Sequence, residues 1–212
     1  MPKLTIVLPS WEREELTLRM LTSISLQTFQ DYELFFLGDC CPIFDKVIQS
    51  DDFSYLKNVF GNRIIVKNFD THDGTSAQAI NYAVENMNGE YFIFLSNDDL
   101  IFPNHFDIYY NSTKDIKEDF SIFNTSVDYG NGVLVTRKPV LAPSKIGHSE
   151  LCISKKMIQS LPPHSRVYGH DWEFISRGLQ GGFKYKMFNN IPTYIVNLSM
   201  SRGHNWEGGR IV

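Results

Sequence analysis

The chain has 212 residues and a formal net charge of −4, with 42% hydrophobic and 21% charged residues and with Lys and Arg dispersed along it. That balance suits one folded domain with a sizeable core and argues against a nucleic-acid-binding face, which needs clustered basic residues. The three cysteines, Cys40, Cys41 and Cys152, make no CxxC spacing, so neither a disulfide framework nor a zinc site is expected, and the setting reads as reducing and cytoplasmic.

Residues 4–9, LTIVLP, are a continuous apolar, β-branched run stopped by Pro9, the pattern of a strand buried on both faces. The run is too short for a signal-peptide core, and no later stretch reaches the roughly 18 apolar residues that span a membrane. Apolar residues at helical spacing predict a helix over 14–26, and YELFFLG at 32–38 predicts a second buried strand that ends at Asp39. Strand, helix, strand opens a parallel α/β sheet. A helix over 43–49, a strand over 63–67 and a helix over 76–87 follow, the last closed by Asn88-Gly89 at the C-terminal position glycine favours. Residues 91–95 are the next strand, so Ser96-Asn97-Asp98-Asp99 falls at its carboxyl end, where open α/β sheets bind ligands.

Beyond Pro103 the pattern predicts a helix over 105–113, then strands in FSIFNTSVDYG and GVLVTRK around a turn at Gly130-Asn131-Gly132. A helix over 154–160 is stopped by Pro162-Pro163, and a short amphipathic helix covers 171–179. FKYKMF and TYIVNL read as strands, and the tail from Ser199 has loop composition. Read locally, Asn97-Asp98-Asp99 is either a turn or a pair of acids whose repulsion a divalent cation relieves. Asp39 reads equally as a turn or cap residue and as an acceptor for a base N–H. Trp11 reads equally as a core aromatic and as a face for a base.

The stretch LTIVLPSWEREELTLRMLTSISLQTFQDYELFFLGD resembles the opening of inverting family-two glycosyltransferases of the GT-A fold. The match lies in a Pro-ended strand, a polar loop, a helix ending in a Gln-Thr-aromatic element, and an acid after the second strand. GTSAQAINYAVENMNGEYFIFLSNDDLIFP continues the similarity through its Gly-Glu-Tyr lead-in and DXD-type acidic cluster, and HDWEFISR resembles the later element that contains the catalytic base. The similarity runs from Leu4 to about Trp206. This chain departs from the pattern at Ser96, where many members have an acid, and at His170-Asp171, where many have Glu-Asp.

The resemblance implies a nucleotide-diphospho-sugar transferase fold, with a central, mainly parallel sheet flanked by helices. One domain would cover 1–212, with 1–103 binding the nucleotide-sugar and 104–212 the acceptor. Pro9, Ser10, Trp11 and Glu12 after the first strand, together with Asp39, would hold the nucleotide. Asp99 would ligate Mn²⁺ or Mg²⁺, with Asp98 as second ligand or ribose contact. His204 would reach back to the metal or diphosphate, and Arg202 would pair with the leaving diphosphate. Asp171 would take the proton of the acceptor hydroxyl as it attacks the anomeric carbon opposite the leaving nucleotide. Its competing reading is the N-cap of its helix, Glu173 is the fallback base, and His170 would shape the acceptor site. The remaining histidines have no partners at metal-ligand spacing and read as structural or solvated.

The expected activity is a metal-dependent, inverting transfer from a UDP-linked sugar to a glycan, lipid-linked or other hydroxyl acceptor, met at a membrane surface where the acceptor is a lipid. Two alternatives stay open. One is a non-catalytic nucleotide-sugar or glycan-binding module, for which Ser96 and His170 speak. The other is a sugar nucleotidyltransferase, against which the acidic PSWEREE stands where a Gly-rich basic loop is needed.

Overall fold

The protein was analysed as a computed structural model that describes residues 1–166 and 169–198. The first half alternates strands and helices: β1 (Leu4–Ser10), α1 (Glu14–Ser25), β2 (Tyr32–Gly38), α2 (Phe44–Ile48), α3 (Asp51–Phe60), β3 (Ile64–Asn68), α4 (Ala77–Asn86) and β4 (Tyr91–Phe94). The second half runs β5 (Leu100–Ile101), α5 (His105–Thr113), β6 (Phe120–Phe123), β7 (Thr125–Asp128), β8 (Leu134–Arg137), β9 (Leu151–Ser154), α6 (Lys155–Ser160), α7 (His170–Gln180), β10 (Tyr185–Phe188) and β11 (Tyr194–Asn197). A seven-stranded sheet has the order β10-β6-β9-β4-β1-β2-β3, and a four-stranded sheet has the order β5-β11-β7-β8. In the large sheet β9 alone runs antiparallel to its neighbours, pairing with both β4 and β6.

The period-two alternation along β2 assigns its residues to two cores. Leu34 and Phe36 face one side with Met20, Leu21 and Ile24 of α1 and with Phe44, Phe53 and Phe106, whereas Phe35 and Leu37 face the other with Ile80, Ala83, Phe174 and Ile175. Each such buried side chain stabilises the fold by roughly 1.5–3 kcal/mol relative to leaving it exposed. Two-sided burial explains why β1 and β2 read as unbroken apolar runs.

Three departures from the sequence reading have local physical causes. β1 does not stop at Pro9 but continues to Ser10 beside β2. Its pairing with β4 covers only Leu4 to Val7, and Pro9 shares the orientation of Val7, so the missing proline N–H falls on the side that β4 has left. α3, which the pattern did not predict, is capped by Ser50, whose hydroxyl accepts from Phe53 N at 3.2 Å, and it buries Phe53, Leu56 and Phe60. FSIFNTSVDYG is two strands rather than one. The break is at Asn124, whose side chain donates to Asn189 Oδ1 at 3.2 Å and to the Asn190 carbonyl at 3.1 Å, sending β6 into the large sheet and β7 into the small one.

Gly89 follows α4 as expected, but close approach, not a left-handed backbone, requires it. A Cβ there would lie 2.5 Å from Thr5 Oγ1 and 2.6 Å from the Thr5 nitrogen. The buried Glu33 carboxylate fixes this corner by accepting from Thr5 Oγ1 at 2.6 Å, from Asn88 N at 2.6 Å and from Gly89 N at 3.0 Å.

His105 is fully buried at the start of α5, with Nδ1 3.0 Å from Thr193 Oγ1 and its ring against Tyr109 and Tyr194. Burial pushes its pKa down to about 3, so the native imidazole is neutral. Below pH 6.5 the unfolded chain binds a proton there that the native state refuses until about pH 3. Stability is therefore lost as pH falls through that window, by about 1.4 kcal/mol per unit from this group. Urea-unfolding midpoints at pH 7 and pH 5 measure the loss; His105→Phe should decline less steeply, and equal slopes would exclude His105 as a source of acid sensitivity.

Candidate active site

The exits of β1 and β2 are tied together, since Asp39 N donates to the Ser10 carbonyl at 3.0 Å. Asp39 is buried, and its carboxylate accepts from Asp73 N at 3.0 Å and faces His72 Nδ1 at 2.7 Å. Burial pushes the Asp39 pKa up, against the stabilising Asp73 N–H. The Trp11 ring stacks on the His72 ring, with centroids 3.8 Å apart and planes at 27°. Trp11 is 38% exposed, so it is a surface aromatic over a polar corner and not a core residue. Asp73 holds the loop by accepting from Thr75 N at 2.7 Å and Gln78 N at 2.6 Å, the second inside the first turn of α4. The chain reaches α1 through two consecutive left-handed residues, Glu12 (φ 53°) and Arg13 (φ 60°), a conformation worth roughly 1–3 kcal/mol of strain per non-glycine residue.

Ser10 is buried against Thr17, and Pro9 is half-buried, so both bring backbone rather than side chains to this corner. The Glu12 side chain is exposed, while its backbone N–H meets Cys41 Sγ at 3.2 Å. His72 and Asp73 escaped the sequence reading. Their only signal was an Asp-Gly turn between a strand and a helix, and their closeness to Asp39 comes from the parallel pairing of β2 with β3.

The turn after β4 is tied to distant parts of the fold. Asn97, Asp98 and Asp99 are only 6–7% exposed. Asp99 accepts from the Tyr194 hydroxyl at 2.6 Å and from Asn197 N at 2.8 Å, both on β11. Asp98 accepts from Ser96 Oγ at 2.5 Å and is ion-paired with Arg13, while its backbone carbonyl accepts from Asn197 Nδ2 at 3.0 Å and Arg19 Nη2 at 2.9 Å. Asn97 Nδ2 donates to Thr17 Oγ1 at 2.9 Å. A solvated turn has no such partners. Ser96, the departure from the family pattern, orients Asp98.

Burial first, and the Asp98 charge second, push the Asp99 pKa up to about 7. The two carboxylates thus repel each other, and a cation beside them would relieve that repulsion. Each carboxylate oxygen also keeps a second acceptor direction beyond the bond it makes. Adjacent hard oxygen donors in mutual repulsion fit Mg²⁺ or Mn²⁺, which take one or two protein carboxylates and complete their shell with phosphate and water.

Asp171 is not a helix cap. α7 starts at His170 and its N-cap is Gly169 in the left-handed conformation, so Asp171 is the second residue of the helix. One carboxylate oxygen accepts from Trp172 N at 2.8 Å, and the other is 3.7 Å from where a Gly147 Cβ would be, so glycine leaves room beside it. Glu173 is engaged by the Ser165 hydroxyl. His170 Nε2 lies 3.3 Å from Ser76 Oγ, which links the first turn of α7 to the N-cap residue of α4 and so to the Asp73 loop. His170 also meets His148 and His164, a gathering of three that their sequence spacing did not announce. Arg202 and His204 lie outside the described residues.

Residues 5–180 match the model of the family described as glycosyl transferase family 2. An uncharacterized glycosyltransferase of Rickettsia bellii (strain RML369-C) is 24% identical over 99% of this chain and 31% of its own length. The putative colanic acid biosynthesis glycosyl transferase WcaA of Escherichia coli (strain K12) is 26% identical over 51% of this chain and 37% of its own length. The chain thus matches only about a third of the length of these curated relatives. The crystal structure of S. aureus TarS 1-349 in complex with UDP aligns with a TM-score of 0.76 at 15% identity, over 92% of this chain and 60% of that one. Mannosyltransferase PcManGT from Pyrobaculum calidifontis, in complex with GDP-Man and Mn²⁺, aligns with a TM-score of 0.63 at 16% identity, over 95% of this chain and 58% of that one. At such identities the structural likeness speaks for the fold, which is GT-A. With the family model spanning more than half of its residues, the chain belongs to glycosyl transferase family 2.

Proposed function

We propose that this glycosyltransferase moves a sugar from a nucleotide diphosphate, UDP in first place, to a hydroxyl acceptor with inversion and with a divalent cation bound. One observation carries the reading: the Trp11–His72–Asp39 corner and the Asp98–Asp99 pair both hang from the carboxyl ends of adjacent strands of one sheet, and Ser76–His170 ties the Asp171 turn to the same corner. TarS bound to UDP and to UDP-GlcNAc supports a uridine donor, and PcManGT bound to GDP-Man and Mn²⁺ supports the cation.

The roles follow from the chemistry of each group. Trp11 and His72 offer aromatic faces to a base, and Asp39 offers an acceptor to its N–H. Asp99, with Asp98, would hold the Mg²⁺ or Mn²⁺ ion, which supplies positive charge against the departing diphosphate. Arg13, already beside Asp98, adds fixed positive charge at the same place. Asp171 accepts the proton of the acceptor hydroxyl as its oxygen bonds the anomeric carbon. The bond from that carbon to the diphosphate oxygen breaks on the opposite face, which inverts the centre. The free cysteines, two of them buried, support a reducing compartment, and no described helix is long and apolar enough to cross a membrane.

A second reading, donor binding without transfer, draws on the same cluster: Asp98 is already paired with Arg13, and both Asp99 oxygens are already hydrogen-bonded. Thermal unfolding with UDP, GDP, CDP and dTDP, each with and without Mn²⁺, tests the shared part. UDP should raise the midpoint, and Mn²⁺ should raise it further, because each binds only the native state. Asp99→Asn keeps an acceptor for the Asn197 N–H and can donate to the Tyr194 oxygen where Asp99 accepts from its hydroxyl, and should lose the Mn²⁺ increment. A wild-type protein unmoved by every nucleotide would overturn both readings.

Asp171→Asn separates the two. It should lower transfer by about 10²–10⁴-fold, measured as nucleotide release across an acceptor panel, while leaving the UDP-induced thermal shift unchanged. Undiminished turnover in that variant would remove Asp171 from the mechanism.

A further inference from the structure

We propose that His148, His164 and His170 form a site for a borderline transition-metal ion, Zn²⁺ in first place, built from residues other than the acidic pair. The three come from different segments: a short turn just before β9, the loop after α6, and the first position of α7. One nitrogen from each lies within 4.8 Å of those of the other two, and the Nε2 atoms of His148 and His164 are 3.1 Å apart. A tetrahedral ion with nitrogen ligands at about 2.0–2.1 Å separates them by about 3.3 Å. Two of the three are therefore already near ligand spacing, and the third nitrogen, within 4.8 Å of both, exceeds that spacing by no more than about 1.5 Å.

A hydrogen bond between neutral imidazoles accounts for one of these contacts and leaves the rest. His164 stacks on Phe174 with centroids 4.3 Å apart, and His148 lies against Phe94, so polar nitrogens have been brought into aromatic surroundings at a desolvation cost. His170 Nδ1 is buried with no hydrogen-bond partner among the described residues. A bound cation would engage such nitrogens. Burial lowers the pKa of all three, that of His164 to about 3, so the rings are in the neutral form a metal requires and protons do not compete at neutral pH.

The surroundings also fix the segment that carries His164 and one ring, that of His170. Asn81 on α4 brackets the His164 backbone, accepting from its N–H at 2.7 Å and donating to its carbonyl at 3.0 Å. Ser76 meets His170 Nε2 at 3.3 Å. An all-imidazole set selects Zn²⁺, Co²⁺, Ni²⁺ or Cu²⁺ over Mg²⁺, the reverse of the oxygen pair at Asp98 and Asp99. Three protein ligands leave a fourth position for water. Occupied, the site would pin the first turn of α7 to the segment before β9 and to the loop after α6. That gives the metal a positioning role for Asp171, a consequence that rests on the role proposed for Asp171 above.

The experiment strips the full chain with chelator and titrates it with CoCl₂, reading the visible d–d bands of tetrahedral Co²⁺, then displaces the ion with ZnCl₂ and counts bound zinc after dialysis. One ion per chain is expected, with the bands kept in an Asp98→Asn/Asp99→Asn variant. Affinity should fall by about 10–100-fold or more in His170→Ala and in His164→Gln, each checked for folding by circular dichroism. His170 is only partly buried, so its variant remains informative even if His164→Gln does not fold. Absence of tetrahedral bands in the wild type, or bands indifferent to His170→Ala, would overturn the site. A Co²⁺ spectrum in a protein that transfers no sugar would uphold the site and remove only its link to catalysis.

Discussion

One buried carboxylate, that of Asp99, stands where the chain passes from the large sheet to the small one. Asp99 lies in the turn between β4 of the large sheet and β5 of the small one, and it is held by Tyr194 and Asn197 of β11, the strand beside β5. The side chain proposed above as a cation ligand thus also fixes the start of β5 against β11. Its pKa of about 7 expresses that tension, because burial and the neighbouring Asp98 oppose the charge that the ligand role needs.

The corner proposed to hold the donor is stiff. Asp39, Asp73 and Ser76 form a run of hydrogen bonds from the end of β2, through a tight loop, into the first turn of α4 and across to His170. Preorganisation of this kind is how a binding site avoids losing affinity to the ordering of its own side chains. The left-handed pair Glu12-Arg13 fits the same logic: local strain is accepted so that Arg13 faces Asp98.

The sequence was most legible where one face of a residue decides its fate. β1, β2 and β4 are buried on both sides, so their apolar runs announced them. It was least legible where partners are remote. β9 is four residues long, sits between β4 and β6, and gains its identity only from pairing with strands about 30 and 60 residues earlier. α3 did carry local signals, Ser50 before two aspartates and apolar residues at helical spacing in Phe53, Leu56 and Phe60, but the helix expected over 43–49 stopped short of it. His72 and Asp73 mark a plain turn until β3 pairs with β2 and sets them against Asp39. His148, His164 and His170 have no regular spacing because their meeting is made by tertiary packing.

Gly89 shows what such packing means for inheritance. The backbone of Thr5 and Leu4 occupies the space a side chain would need, and β4 starts two residues later. A missense change there would push β4 away from β1 and carry Asp98 and Asp99 with it. In a genetic screen it would score as a lost active site, although the codon lies outside every chemical group of the site. Only a fold-sensitive assay would class it with the core lesions.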